Sequence, residues 1–137
     1  MVSNRLAFSA VLLSLALALP VSADAQTART KTVKDGVYTE AQAKRGQAEF
    51  EAICATCHRA EWFGGPEFKQ HWGYGELFWV YDFIRTNMPY EQGGTLPKQT
   101  YIDVLAYILK LNGYPAGTYD LPTNDEGFLA ITFPNEP

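Results

Sequence analysis

The sequence has 137 residues, which is the size of one ordinary domain. Its hydrophobic content of 47% and aromatic content of 14% exclude an intrinsically disordered chain. The formal net charge of −4 argues against nucleic acid and anionic membrane surfaces as partners, because both select for clustered lysine and arginine.

The first 25 residues have the pattern of an export signal. Arg5 supplies a positive charge near the start, residues 6–19 are almost wholly apolar, and Pro20 ends the apolar run. This run is shorter than the roughly 20 residues that a membrane-spanning helix needs, so cleavage is favoured over a retained anchor. We therefore expect a periplasmic protein that has no membrane attachment once its signal peptide is removed.

Two sites for signal cleavage fit the small residues that signal peptidase recognises. Cleavage after Ala25 is favoured, and cleavage after Ala23 is the alternative. The chain then divides into a signal peptide over residues 1–25 and one domain over residues 26–137. That domain has a predicted core at about 37–112 and an extended C-terminal tail at 113–137.

Helical periodicity begins after a polar segment, residues 26–38, that predicts a loose lead-in. Thr39 and Gln42 have the spacing of a capping box, so the first helix is expected to begin there. One stripe of this helix is predicted to face inward: Ala43, Gly46, Phe50 and Ile53.

Glycine and proline divide the rest of the chain. Residues 59–75 predict a loop, 76–85 a second helix and 88–97 another loop. A third helix is expected over 96–111, with Thr95 as its cap and Asn112-Gly113 at its end. Its predicted inward face contains Tyr101, Leu105 and Ile108. In the tail, three apolar residues are expected to pack on the domain: Phe128, Leu129 and Ile131.

No β-sheet is predicted, so the fold class is all-α. Three main helices with long loops provide too little helix-on-helix contact for a self-sufficient core. We therefore expect a bound group to fill the centre of the domain.

The run Cys54-Ala55-Thr56-Cys57-His58 identifies that group, because C-x-x-C-H is the covalent attachment motif of haem c. Cysteines three residues apart on a helix point to the same side, so both thiols can add to the vinyl groups on one edge of a haem. His58 then lies under the iron as the proximal ligand. The sequence predicts one covalently bound haem c.

Three other uses of the two cysteines are less favoured. A thioredoxin-like motif requires a preceding strand, whereas the preceding segment here is helical. A zinc site would need Cys54, Cys57, His58 and His71, but adjacent Cys57 and His58 cannot easily reach one tetrahedral ion. A disulfide within one helix would constrain little.

Two residues are candidates for the sixth iron position. Met88 lies in the loop sequence Asn87-Met88-Pro89, away from the inward faces of both neighbouring helices, and we favour it. His71 is the rival. Two protein ligands indicate an electron carrier, whereas an open position indicates a haem enzyme or gas sensor.

These features resemble the class I cytochromes c over roughly residues 37–112. The matching features are the first helix with Gly46 and Phe50, the C-x-x-C-H run, Asn87-Met88-Pro89, and the last helix over residues 101–109. The resemblance implies a cytochrome c fold in which His58 and Met88 bind the iron from opposite faces.

The resemblance also implies that the first and last helices cross beside the haem. Gly46 and Phe50 would then pair with Leu105 and Ile108. Residues 111–117 resemble small bacterial cytochromes associated with quinoprotein dehydrogenases. A redox partner protein is therefore expected, either such a dehydrogenase or a terminal oxidase. The acidic charge differs from that of the basic mitochondrial carriers.

The segment 61–81 is unusually aromatic, and we favour these residues as the wall of the haem pocket. An exposed docking patch is the alternative. Trp72 is a candidate to donate its indole N–H to a haem propionate, as aromatic residues in this region do in relatives. The aromatic residues of the segment are Trp62, Phe63, Phe68, Trp72, Tyr74, Phe78, Trp79 and Tyr81.

The predicted function is one-electron transport by Fe(II)/Fe(III) cycling, without enzymatic activity. A thioether ligand and an apolar pocket both favour ferrous iron and raise the reduction potential. Two alternatives remain open: an electron-entry subunit of a dehydrogenase complex, and a haem enzyme or gas sensor with a labile sixth ligand.

Overall fold

The computed structural model describes residues 31–134, and within them the chain forms five α-helices and two very short strands. The predicted signal peptide lies outside the described residues. The elements are β1 (Lys31–Thr32), α1 (Glu40–Ile53), α2 (Pro66–Trp72), α3 (Leu77–Asn87), α4 (Lys98–Leu111), α5 (Asp125–Leu129) and β2 (Ile131–Thr132). Single 3₁₀ turns occur at Val33–Asp35, Cys54–Thr56 and Ala60–Phe63. The predicted all-α fold is confirmed.

The crossing of α1 and α4 is the main packing contact of the fold. Gly46 lies at the crossing, where a Cβ atom would stand 1.7 Å from the carbonyl oxygen of Asp103. One turn later, the ring of Phe50 packs on that of Tyr107 with centroids 5.6 Å apart. The predicted crossing is therefore present, but Gly46 meets the backbone of Asp103 and Val104 rather than the face of Leu105 and Ile108.

The helix caps differ in part from the predictions. Thr39 does cap α1, because its hydroxyl oxygen accepts the Gln42 N–H at 3.0 Å. The Gln42 side chain, however, reaches Asp103 and the backbone N–H of Leu121 instead of completing the capping box. Thr95 does not cap α4: that helix begins after Pro97, and the Thr95 hydroxyl donates to the carbonyl of Gln92.

The loop predicted over 59–75 contains a 3₁₀ turn and the short helix α2. Gly65 is the N-cap of α2 with φ of 81°, and Pro66 occupies its first turn. Proline suits that position because the first helical N–H groups have no acceptor within the helix. The glycine and proline that predicted a loop are therefore the start of a helix.

The lead-in and the tail are more ordered than predicted. Strands β1 and β2 pair in parallel, with Lys31 opposite Ile131, so residues 31–38 are not a loose segment. Val33 is fully buried in this region. In the tail, Phe128 and Ile131 are buried as expected, but Leu129 at the end of α5 is exposed.

Among the described residues, no helix is both long and apolar enough to span a membrane.

The end of α4 follows the prediction, with Asn112 as its C-cap and Gly113 at φ of 75°. Left-handed backbone at this position is the ordinary role of glycine after a helix.

Candidate functional site

The C-x-x-C-H run folds as a tight turn at the end of α1. The carbonyl oxygen of Cys54 accepts hydrogen bonds from two N–H groups, that of Cys57 at 3.1 Å and that of His58 at 2.9 Å. In a 3₁₀ turn, side chains three positions apart lie on the same side. The turn therefore presents Cys54 and Cys57 in one direction with His58 immediately beside them.

These three side chains line a cavity of about 490 Å³, and Met88 lines it as well. A cavity of this size is within the range that proteins use for organic cofactors. The rest of its wall is largely apolar. It is drawn from the four helices α1 to α4, from the 3₁₀ turn at Ala60–Phe63 and from the loop after α3: Phe50, Ile53, Phe63, Phe68, Trp72, Val80, Phe83, Ile84, Pro89, Tyr90, Leu96, Thr100, Tyr101, Val104 and Ile108.

The imidazole of His58 is positioned by aromatic contacts. The ring of Phe63 meets it edge-on with centroids 5.2 Å apart, and Trp62 meets it similarly at 6.5 Å. Asn112 fixes the turn that carries Phe63, because its side-chain N–H₂ donates to the Phe63 carbonyl at 2.7 Å and to the Ile108 carbonyl at 2.9 Å. The end of α4 thus supports the residue that packs on His58.

Met88 is held at the end of α3 through its backbone. Its N–H donates to the carbonyl of Ile84 at 3.0 Å, as the last hydrogen bond of that helix. Its own carbonyl accepts a hydrogen bond from the hydroxyl of Tyr101 at 2.9 Å. The side chain of Met88 is half-buried and lines the cavity.

His71, the rival for the sixth iron position, lies elsewhere. It is exposed on α2, its Nδ1 is 2.9 Å from the carbonyl oxygen of Glu67 one turn earlier, and it does not line the cavity. The structure therefore brings Cys54, Cys57, His58 and Met88 to one cavity and leaves His71 outside it.

The aromatic residues of segment 61–81 fall into three groups rather than sharing the one role that the sequence favoured. Phe63, Phe68 and Trp72 line the cavity, and Trp72 also packs on Phe83 with centroids 5.0 Å apart. Tyr81 is buried against Phe128 instead, in a stacked pair at 4.3 Å. Three others are largely exposed: Trp62, Tyr74 and Trp79. The prediction of a pocket wall is therefore right for the first group and wrong for Tyr81 and for the exposed residues.

Burial changes the acidity of one thiol at the site. It raises the pKa of Cys54 above the ordinary value for cysteine, and the nearby carboxylate of Glu49 acts in the same direction. The thiol is therefore held in its protonated form near neutral pH, in which it exchanges slowly with disulfides.

The residues of the cavity fit a haem. Two thiols and an imidazole lie on a single turn, and a thioether from the loop after α3 lines the same cavity. The wall is built mainly of aromatic and branched aliphatic side chains, which suit a flat apolar macrocycle. Sulfur and imidazole are also among the protein ligands of haem iron.

Comparison with known families supports the same assignment. The family model described as cytochrome c oxidase, cbb3-type, subunit III matches residues 41–108, from α1 into α4. The chain carries a cytochrome c domain. This domain fits a small class I cytochrome c, as the sequence predicted. Searches of curated proteins and of solved structures gave no significant match.

Two contributors to the cytochrome c site were not predicted as such. Tyr101 was expected only as part of an inward helix face, and Asn112 only as the end of that helix. Their partners lie 13 and 49 residues earlier in the chain, at Met88 and Phe63. Helical spacing identifies a face but not the distant backbone group that a polar side chain on it reaches.

Proposed function

We propose that this cytochrome c domain is a periplasmic one-electron carrier with a single haem c, bound covalently through Cys54 and Cys57. His58 and Met88 are proposed as the two axial ligands. The observation that carries the proposal is that two thiols, one imidazole and one thioether line the same apolar cavity. A cytochrome c domain transfers electrons by means of haem. The single haem, its covalent attachment and the periplasmic location are our proposals beyond that family assignment.

A haem bound in this cavity supplies reversible Fe(II)/Fe(III) chemistry. The protein contributes a cavity wall that stays fixed while the charge on the iron changes. Phe50, Val104 and Ile108 are buried wall residues and exclude water. Water exclusion and a thioether ligand both favour the ferrous state and therefore raise the reduction potential.

Trp72 is proposed to donate its indole N–H to a haem propionate. The side chain is half-buried and lines the cavity. Trp72→Phe keeps an aromatic wall but removes the donor, so the reduction potential is expected to change while the ligand spectrum does not. An unchanged potential would contradict the proposed hydrogen bond from Trp72 to a propionate.

The periplasmic location is supported by the signal pattern of residues 1–25. The intact mass of protein exported by a bacterial host tests this part. The expected mature chain begins after Ala25 or Ala23 and carries the added mass of one haem. A mass that still includes residues 6–19 would indicate an anchored protein.

A second candidate is an electron-entry subunit held in a larger complex. The matching family model describes an oxidase subunit, and large apolar side chains lie exposed outside the cavity at Tyr74 and Trp79. Affinity purification of the mature protein from its native cells distinguishes a complex subunit from a free carrier. A stable stoichiometric partner supports the subunit, whereas a monomer that exchanges electrons in free solution supports the carrier.

Two measurements on the unaltered protein test whether the haem is covalently bound and whether its sixth iron position is filled. Acidified organic solvent should leave the colour with the polypeptide, because thioether bonds are not broken by acid. The ferrous protein at neutral pH should bind carbon monoxide slowly, because Met88 fills the sixth position. Extractable haem would contradict covalent attachment, and rapid binding would favour the enzyme or sensor alternative.

A further inference from the structure

Tyr101 connects two separate points of the loop that carries Met88. Its hydroxyl group donates to the carbonyl of Met88 at 2.9 Å and accepts the backbone N–H of Leu96 at 3.2 Å. These two residues stand at the beginning and near the end of the loop between α3 and α4. One phenol on α4 therefore joins both ends of the loop.

The position of Tyr101 allows it to act as a fixed anchor. Its side chain is 4% exposed, and α4 is the helix that crosses α1 at Gly46. The loop, by contrast, is largely exposed: Glu91, Gln92, Gly93 and Gly94 all lie at the surface. Without the anchor, the loop would depend on the hydrogen bond from the N–H of Met88 to the carbonyl of Ile84 and on two internal turns, Gln92 to Pro89 and Thr95 to Gln92.

We propose that Tyr101 is a positioning residue that holds Met88 in place as the sixth ligand and so limits how often the iron site opens. This inference rests on the proposed ligation by Met88. Tyr101 acts through the loop backbone, so its removal changes how often Met88 leaves the iron but not the identity of the ligand. An ordinary hydrogen bond corresponds to a factor of about fivefold in such an equilibrium.

Tyr101→Phe in the haem-loaded protein tests the proposal, because it keeps the ring and removes the hydroxyl. The ferrous variant is expected to bind carbon monoxide about fivefold faster than the unaltered protein. The oxidised variant is expected to show a weaker sulfur-to-iron charge-transfer band at long wavelength. Equal carbon monoxide rates and equal bands in the two proteins would overturn the proposal.

Tyr38→Phe is the matched control. Tyr38 is 1% exposed, its hydroxyl donates to the carbonyl of Tyr114 at 2.7 Å, and neither residue lines the cavity. Both variants lose a buried hydrogen bond from a tyrosine to the backbone, so both should unfold at lower urea concentration. Only Tyr101→Phe should alter the band and the carbon monoxide rate. The same changes in Tyr38→Phe would show a general loosening and contradict a positioning role.

Hydrogen exchange of the unaltered holoprotein provides a test that does not depend on a folded variant. The Leu96 N–H should exchange much more slowly than the N–H of Gly94, an exposed residue of the same loop. Exchange of Leu96 at the Gly94 rate would contradict the anchor. The proposed function fails separately: if the unaltered protein lacks the charge-transfer band, ligation by Met88 is wrong, whatever Tyr101 does.

Discussion

The sequence leaves two candidates for the sixth iron ligand, Met88 and His71, and their places in the structure favour Met88. Both residue types bind haem iron, and both lie in the region between the first and last helices. Met88 lines the cavity, whereas the His71 ring lies against the backbone of its own helix at the surface. Replacing Met88 is therefore expected to change the properties of the iron site, whereas replacing His71 is not.

Met88→Ala should abolish the sulfur-to-iron charge-transfer band, open the ferrous iron to rapid carbon monoxide binding and lower the reduction potential. The potential falls because a thioether stabilises ferrous iron. His71→Ala is the control and should leave all three properties unchanged. If His71→Ala instead loses the low-spin spectrum, the ligand is His71 and the carrier function remains with a different axial pair.

Gly46 allows α1 and α4 to approach closely because it has no side chain. Gly46→Ala is expected to destabilise the domain by about 2 kcal/mol or more, because the new methyl group would collide with the backbone of Asp103. Urea unfolding measures the loss. Lys44→Ala, on the exposed side of the same helix, is expected to change stability by no more than about 0.5 kcal/mol. Equal stability of Gly46→Ala and the unaltered protein would mean that the helices can separate at the crossing without loss.

At the scale of the elements, the tail is tied to the α1–α4 pair by a polar network. Asp103, 4% exposed on α4, accepts hydrogen bonds from the side chains of Gln42, Gln99 and Arg45. Arg45 also pairs with Asp120 of the tail at 2.8 Å. These bonds raise the pKa of the Arg45 guanidinium, chiefly through Asp103, so it remains charged at all ordinary pH values.

The carboxylate of Asp120 makes this attachment sensitive to acid. The Thr39 hydroxyl first, and then Arg45, holds the pKa of Asp120 below its ordinary value of 3.8. Since the folded-state pKa is the lower one, the stabilisation is complete above pH 3.8 and is lost as pH falls through the folded-state pKa. The Asp120 side chain is 43% exposed, so its contribution should stay under about 1 kcal/mol.

Asp120→Asn should therefore be less stable than the unaltered protein at pH 6, with the difference shrinking towards pH 3. Urea unfolding across this range measures it, and the difference between the two proteins cancels effects of acid on the haem ligands. A difference that stays constant with pH would show that the Asp120 charge does not contribute.

Elements that depend on local spacing could be predicted, and those that depend on distant partners could not. The capping role of Thr39, the inward stripe of α1 and the C-x-x-C-H turn all follow from residues within a few positions of one another. The pairing of β1 with β2 joins residues about a hundred positions apart, and two-residue strands give no periodic signal. The Gln42 side chain had two possible partners, and the distant Asp103 displaced the local capping bond.

At the scale of the whole molecule, the cavity makes the fold dependent on what fills it. Its wall is largely apolar, so without a bound group these side chains face unfilled space or water, which costs stability. The same cavity that predicts the cofactor thus predicts that the polypeptide alone is not a stable folded protein.

The double variant Cys54→Ser with Cys57→Ser tests this dependence. It should release haem into acidified organic solvent, and after haem removal it should lose most of its helical circular dichroism. The single variant Ala55→Ser, at an exposed position within the motif, should keep both haem and helicity. A haem-free double variant that retained native helicity and unfolded cooperatively would show that the helices form a core of their own.

The parallel pairing of Lys31–Thr32 with Ile131–Thr132 brings together the two ends of the part of the chain that the structure describes. A short linker can therefore bridge these ends, and new termini can then be opened in an exposed loop other than the one that carries Met88. The same geometry lets the domain be inserted into a surface loop of another protein as a cassette, with an electron-carrying group attached to its host at a single point.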